Sequence, residues 1–182
     1  NNVTFTEALQ SHETTDTFQK NSNTRPELKL TLSDGTQSRK LEVFYIEGTT
    51  KGFDNGFDGK MFGGVAENFS LYSELLAENV GVKYAVQSLP NSDFENMVVP
   101  VGIKAAAGKE ITFSAEAMNI PDGINVYLED RIANTVTLLS EANATYKVTL
   151  GESLDGIGRF YLHTKASGVL STTEVALDNI SI

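Results

Sequence analysis

Residues 26–48 read PELKLTLSDGTQSRKLEVFYIEG, which is two runs of alternating apolar and polar residues separated by a turn. Leu28, Leu30 and Leu32 alternate with polar residues, and a period of two is typical of a strand with one apolar face. Asp34-Gly35 stands between the runs, and this dipeptide is among the strongest short signals of a hairpin turn. The stretch therefore predicts a β-hairpin whose three leucines share one face.

The same period of two recurs along the rest of the chain, with turn residues at intervals of roughly ten. FSLYSELL at 69–76 fits either a strand or one turn of helix. Valines and Tyr84 alternate in VGVKYAVQSLP, so we predict that Val80, Val82, Tyr84 and Val86 share one face of a strand. The other predicted strands are NVTFTEAL around Phe5, TTDTFQK around Phe18, VVPVGIKA, KEITFSAEA, INVYLEDR, NTVTLLS, ATYKVTLG, GRFYLHTK and the final STTEVALDNISI.

This series of strands predicts the fold class. About a dozen short strands with regular turns and no long helix indicate an all-β fold, an antiparallel β-sandwich of jelly-roll type. With 182 residues, of which 40% are hydrophobic, the chain is long enough for one sizeable core. We predict a single domain over residues 1–182, because the polar segment QKNSNT is a loop between strands that both belong to the sandwich.

Charge and composition exclude several classes of partner. The 24 acidic residues outnumber the 14 basic ones, which gives a net charge of -10. Such a charge repels phosphate backbones and anionic lipid, so nucleic acid and membrane surfaces are not expected as partners. There is no cysteine, hence no disulfide and no thiolate metal site. The longest apolar runs are far shorter than the roughly 20 residues of a membrane span.

The stretch GTTKGFDNGFDGKMFGG at 48–64 is the candidate metal site. Asp54, Asn55 and Asp58 place oxygen ligands within five residues, and the glycines among them permit tight turns. Calcium is the cation that such oxygen ligands favour, although the spacing departs from the EF-hand pattern. The competing interpretation is that these side chains cap turns of the backbone.

Three phenylalanines in the same stretch bear on how the loop is held. Phe53, Phe57 and Phe62 recur at spacings of four and five residues. A loop this rich in glycine needs anchors, because glycine leaves the backbone flexible. The turn-capping interpretation therefore predicts that the three rings fold inward onto the sandwich.

No residue pattern supports catalysis. His12 and His163 are the only histidines, and no G-x-S-x-G nucleophile elbow accompanies them. His163 lies in an alternating strand, which predicts a solvent-facing or half-buried side chain. Glu129 and Asp130 are adjacent in a predicted strand, so they point to opposite faces and do not form a glycosidase carboxylate pair. We predict no catalytic residues and no enzyme activity.

Carbohydrate binding is the second functional class that the sequence leaves open. β-Sandwich modules bind sugars through exposed aromatic rings, and tryptophan is frequent among them. This chain has no Trp. The possible stacking residues are Tyr45, Tyr72, Tyr127 and Tyr161.

Several stretches together resemble one known domain. GFDNGFDGKMFGG, SLPNSDFENMVVPVGIKA and VYLEDRIANTVTLL are the most specific, within a likeness that covers residues 28–164. They resemble the β-sandwich domain that precedes the C-terminal sorting domain in proteins exported by the type IX secretion system of Bacteroidota. The resemblance implies a secreted or outer-membrane cell-surface location, and a sorting domain that would follow this fragment and engage the type IX export machinery.

The resemblance implies no reaction, because the domain is generally the non-catalytic part of its parent. We therefore expect a non-catalytic extracellular module with a structural stalk or adhesion role near the sorting end. The alternative is a carbohydrate-binding module attached to a secreted polysaccharide-degrading enzyme. A monomer is expected, with an extracellular glycan or another surface molecule as partner.

Overall fold

A computed structural model describes residues 24–62 and 68–166, and nearly all of its regular structure is β. The all-β class is confirmed, and Ser70–Ser73 within FSLYSELL form a strand. The predicted strands around Phe5 and Phe18 and the final STTEVALDNISI lie outside the described residues. The strands are β1 (Glu27–Ser33), β2 (Ser38–Ile46), β3 (Gly59–Lys60), β4 (Ser70–Ser73), β5 (Tyr84–Pro90), β6 (Val98–Ala105), β7 (Glu110–Met118), β8 (Ile124–Asp130), β9 (Thr135–Leu138), β10 (Thr145–Thr149) and β11 (Leu154–Ala166).

The predicted hairpin is formed by β1 and β2, which pair antiparallel with Leu30 opposite Leu41. The three leucines of β1 are buried together on one face, as predicted. Asp34 holds the turn, because its Oδ1 accepts hydrogen bonds from the hydroxyl and amide of Thr36 and from the amide of Gln37. These bonds, the Thr36 hydroxyl first, lower the pKa of the Asp34 carboxyl well below its usual range.

The described strands form one sheet that folds over on itself, like a sandwich, and nearly closes into a barrel. The order is β10-β7-β1-β2-β5-β4-β6-β11-β8-β9, with β3 paired to β5 off this path. All pairs are antiparallel except β2 with β5, which is parallel. The wholly antiparallel arrangement that we predicted is therefore wrong at this one pair. A parallel neighbour requires a long crossover, and the segment that carries the 48–64 loop, β3 and β4 provides it.

Inward-facing rings and aliphatic side chains from the two halves of the sheet meet in one core. The rings of Phe113 on β7 and Phe160 on β11 lie 4.8 Å apart, and Tyr45 Oη lies 3.2 Å from the hydroxyl of Thr164. Burial raises the pKa of Tyr45 to about 12. Because these contacts join strands from opposite halves, they hold the folded sheet together.

A buried ionic cluster closes the gap between the two ends of the sheet, and we call it the seam clasp. It consists of Asp130 on β8, Arg159 on β11 and Tyr146 on β10. Arg159 Nε and Nη2 and Tyr146 Oη donate hydrogen bonds of 2.8–3.1 Å to the Asp130 carboxylate, as do the amides of Ile132 and Ala133. The carboxylate is fully buried and Arg159 nearly so. The clasp therefore joins β10, the strand at one end of the sheet, to β8, the second strand from the other end.

An irregularity in β11 directs Arg159 toward the clasp. Gly156 pairs with Ile103 and Phe160 pairs with Val101. Between these two pairs β11 advances by four residues and β6 by only two, so β11 contains a bulge. Gly158 lies within this bulge at φ +108°, a conformation that favours glycine. Bulges of this kind change the direction in which a side chain points.

The segment between β4 and β5 departs from its sequence prediction. The strand of VGVKYAVQSLP begins only at Tyr84, and Val80 is largely exposed, so the predicted four-residue face is wrong in its first half. Glu78 and Gly81 have positive φ, which turns the backbone before the strand starts.

No helix of residues 24–62 and 68–166 is long and apolar enough to cross a membrane.

Candidate functional site

The acidic loop between β2 and β3 is organised by hydrogen bonds to its own backbone. Asp54 Oδ2 accepts hydrogen bonds from the amide and hydroxyl of Thr50, at 2.6 and 3.1 Å. Asp58 accepts one from the amide of Asp54 and one from the amide of Ser88, both at 2.7 Å. Asn55 is exposed at the tip. The two carboxylates thus act as the turn caps of the competing interpretation, and Asp58 also fastens the loop to β5.

The calcium hypothesis for Asp54, Asn55 and Asp58 stays a prediction. Within the described ranges, no group of three or more His, Cys, Asp or Glu side chains is placed to hold a metal ion. The loop itself contributes two carboxylates and one amide. Carboxylate oxygens that already accept amide hydrogen bonds retain a second lone pair, so the caps and a cation are chemically compatible.

Replacing Asp58 with asparagine is expected to lower the unfolding free energy by about 1.5–3 kcal/mol, because an amide group accepts through one oxygen where the carboxylate accepts through two. Thermal unfolding with and without a calcium chelator tests both the turn-capping role and the calcium-binding role of Asp58. If calcium occupies the loop, chelator lowers the Tm of the unsubstituted protein and leaves that of Asp58→Asn unchanged. An unchanged stability in Asp58→Asn would contradict the capping role.

The three phenylalanines of this loop are exposed, so the prediction that they fold inward is wrong. The exposed fractions are 46% for Phe53, 48% for Phe57 and 86% for Phe62. Tyr84 is the aromatic residue buried at this place, and Phe53 lies on its solvent side. The centres of the two rings are 6.1 Å apart. We call these three rings the phenylalanine surface.

This surface lies beside β5, to which its backbone is hydrogen-bonded. The Ser88 hydroxyl donates a hydrogen bond to the carbonyl of Phe57, β3 pairs with β5, and the amide of Met61 donates to the carbonyl of Lys83. Lys60 Nζ lies 5.3 Å from the centre of the Phe53 ring. The rings are therefore presented by a fixed loop, with a cation next to one of them.

The four tyrosines considered for sugar stacking divide into two pairs. Tyr45 and Tyr72 are buried, so the sequence prediction is wrong for them. Tyr127 on β8 and Tyr161 on β11 are partly exposed on the outer face of the sheet. Their strands are neighbours, and the pairing of Tyr161 with Glu129 and of His163 with Tyr127 brings four side chains together.

These four side chains and Arg131 form what we call the outer platform. Glu129 accepts a hydrogen bond from Arg131 Nε at 3.2 Å, and its other oxygen lies 2.9 Å from His163 Nε2. The Arg131 guanidinium stacks over the Tyr161 ring at 3.6 Å. Partial burial raises the pKa of Glu129, but the hydrogen bonds from His163 and Arg131 outweigh it and lower the pKa. Glu129 therefore remains ionised at neutral pH.

His163 is more buried than the sequence predicts. It is only 9% exposed, because Tyr127 lies directly opposite and Glu129 covers its Nε2. Its Nδ1 is buried, and no partner for this atom lies within the described residues. Glu129 and Asp130 point to opposite faces of β8, as predicted, since Asp130 belongs to the buried seam clasp.

Sequence reasoning missed the outer platform as a unit. Alternation in INVYLED and GRFYLHT already places Tyr127 with Glu129, and Tyr161 with His163, on the faces that do not join the core. What the sequence does not reveal is that β8 and β11 are adjacent. The platform offers donors and acceptors of both charges around aromatic rings, which are groups suited to binding.

Comparison with known protein families matches residues 1–163 to a family model described as Domain of unknown function (DUF8693). No curated protein matches the chain, and no solved structure matches it. The matched range contains the phenylalanine surface and the outer platform. Its description carries no activity, so the chemistry of these two surfaces is the basis for assigning a role.

Proposed function

Because this chain belongs to the DUF8693 family, whose function is unknown, we propose its role from its own surfaces: it is a non-catalytic extracellular adhesion module of a secreted or cell-surface protein. It attaches through the phenylalanine surface. The resemblance to the domain that precedes type IX sorting domains supports the location and the export route. The net charge of -10 is consistent with a soluble extracellular module.

The exposure of three phenylalanine rings within ten residues is the observation that carries this proposal. Phe53 and Phe57 are about half exposed, and Phe62 is almost fully exposed. Apolar rings that one short loop exposes together are candidates for an interaction site on a soluble protein. Complete burial of one such ring contributes about 1.5–3 kcal/mol, so three partly exposed rings supply several kcal/mol to an attachment.

The fixed backbone under the rings favours binding in a second way. Asp54 and Asp58 tie the loop to itself and to Ser88, so the backbone is ordered before any partner arrives. Less conformational entropy is then lost on binding than with a mobile loop. The turn caps therefore serve the surface that they support.

Adsorption to surfaces of defined chemistry tests the proposal. A quartz crystal microbalance compares adsorption of the protein to methyl-terminated and hydroxyl-terminated monolayers. The triple variant Phe53→Ser, Phe57→Ser, Phe62→Ser is expected to lose at least about tenfold in affinity for the methyl surface, because even one ring is worth about 1.5–3 kcal/mol.

A matched control removes exposed apolar side chains elsewhere. Ile132 and Ile157 are also exposed, and Ile132→Ser with Ile157→Ser is expected to adsorb as the unsubstituted protein does. Unchanged adsorption of the phenylalanine variant would contradict the proposal. Turnover of any polysaccharide by the isolated protein would contradict its non-catalytic part.

A further inference from the structure

We infer that the outer platform, Tyr127, Glu129, Arg131, Tyr161 and His163, is a binding site for a neutral oligosaccharide. The site is independent of the phenylalanine surface, because it is built from β8 and β11 rather than from the loop beside β5. It gives the module a specific glycan ligand in addition to its apolar attachment.

The arrangement of the strands makes the platform compact. Tyr161 pairs with Glu129 and His163 pairs with Tyr127, so the two tyrosines occupy one diagonal of a four-residue square and the Glu129–His163 contact occupies the other. Side chains directly opposite on antiparallel strands lie about 4.5–5.5 Å apart at Cβ. The square therefore has the dimensions of one or two sugar rings.

The polar groups of the platform select hydroxyl groups over ions. Glu129 is an acceptor with a full negative charge, and Arg131 is a donor with a full positive charge and a half-exposed side chain. An anion bound here would meet Glu129, and a cation would meet Arg131. A sugar hydroxyl both donates and accepts, so it can satisfy a carboxylate and a guanidinium that stand side by side.

Donor capacity remains on this face for a ligand. In the part of the chain that the structure describes, Arg131 hydrogen-bonds Glu129 through Nε alone and its side chain is half exposed, so its two terminal nitrogens are available to donate to a ligand. Tyr127 Oη receives a long hydrogen bond of 3.4 Å from the Asn125 amide, and its own proton can be donated. The Arg131 guanidinium covers one face of the Tyr161 ring, so the edge of Tyr161 and the partly exposed Tyr127 ring are what the platform offers to the C–H surfaces of a sugar.

The surface charge of the rest of the protein supports a neutral ligand rather than an acidic one. The net charge of -10 repels polyanionic glycans at long range. Lys165, the next outward residue of β11, pairs with Asn125 at the rim of the platform and does not reverse this balance. A neutral oligosaccharide meets no such barrier.

A glycan array followed by titration calorimetry tests this inference on the 182-residue chain. The probes are neutral tetramers to hexamers of β-linked glucose, mannose, xylose and galactose, with oligogalacturonate as the anionic comparison. We expect at least one neutral series to bind. Glu129→Gln and Tyr161→Ala are each expected to lower its affinity at least about tenfold, since a hydrogen bond to a charged group contributes about 1.5–3 kcal/mol and an aromatic contact a comparable amount.

Two controls keep the test decisive. Arg131→Ala removes a half-exposed side chain whose contacts with Glu129 and Tyr161 lie within the platform, and an unchanged Tm in this variant separates a loss of affinity from unfolding. The phenylalanine triple variant is expected to bind the oligosaccharide normally. Binding of no neutral oligosaccharide, binding of oligogalacturonate alone, or binding that survives Tyr161→Ala and Arg131→Ala but fails in the phenylalanine variant would each overturn the inference.

Discussion

Replacing Asp130 with asparagine is expected to lower the unfolding free energy by about 3–5 kcal/mol, the largest single effect that the structure predicts. Asp130 accepts hydrogen bonds from both Arg159 and Tyr146 in the seam clasp, and its carboxylate is fully buried. Removing the negative charge leaves the Arg159 guanidinium buried without its counterion. Denaturant unfolding, followed by circular dichroism, measures the loss.

An exposed ion pair provides the matched control for the seam clasp. Asp155 lies 3.2 Å from both Lys83 and Lys104, and all three side chains are 40% or more exposed. Asp155→Asn is therefore expected to change stability by at most about 1 kcal/mol. A similar small change in Asp130→Asn would show that the clasp does not hold the sheet ends together.

The pH dependence of stability gives a second test of Asp130. Burial raises the pKa of this carboxyl, but the hydrogen bonds from Arg159, Ala133 and Tyr146 outweigh burial and lower it in the folded protein. The group therefore contributes stability above its unfolded pKa of about 3.9, and that contribution is lost as the pH falls through the lower folded value. The difference in unfolding free energy between the unsubstituted protein and Asp130→Asn should stay constant from pH 7 to 5 and shrink below about pH 4.

Replacing Gly102 with alanine is expected to cost about 3 kcal/mol, the upper part of the range for overpacking. Tyr72 pairs with Gly102 across β4 and β6, and its ring occupies the space beside the glycine. A Cβ on residue 102 would lie 2.1 Å from Cε2 of Tyr72, which is far inside contact distance. The ring is buried, with the Lys83 ammonium 4.5 Å from its centre, so relieving the clash requires the ring and this contact to shift.

A double substitution separates this clash from other causes. Gly102→Ala combined with Tyr72→Ala is expected to be more stable than the sum of the single changes predicts, because the clash is absent once the ring is removed. Gly151→Ala is the matched control, since a Cβ there meets nothing within 4 Å and its φ is not positive. Additive effects at Gly102 and Tyr72 would contradict the steric explanation.

Local alternation predicted the strands of this protein well. Leu28, Leu30 and Leu32 are buried as their spacing predicts, since a period of two is a property of the strand itself. The parallel pairing of β2 with β5 was not predictable in this way, because it depends on where a long crossover returns. Val80 fits the alternation and yet lies outside the strand, because the backbone turns on either side of it, at Glu78 and Gly81, before β5 begins at Tyr84.

The candidate surfaces were harder to predict from the sequence than the strands were. Phe53, Phe57 and Phe62 were predicted to be anchors, because glycine-rich loops need fixing, but backbone amides that donate hydrogen bonds to the carboxylates of Asp54 and Asp58 fix the loop without them. The outer platform combines residues from 127 to 163, and only the adjacency of β8 and β11 brings these together. Side-chain direction is local information, whereas strand neighbours are not.

The order of the strands also governs how the chain folds. Apart from the pairs β1–β2, β4–β5 and β8–β9, strand neighbours are distant in sequence: Leu30 lies opposite Ala115, and Leu162 lies opposite Val99. Sheets made of such non-local pairs fold over milliseconds to seconds, because loops must close before their contacts form. Joining β10 to β8 through Asp130 requires most of these pairs to be in place first. We therefore expect the clasp to form after the transition state, so that its loss accelerates unfolding more than it slows folding.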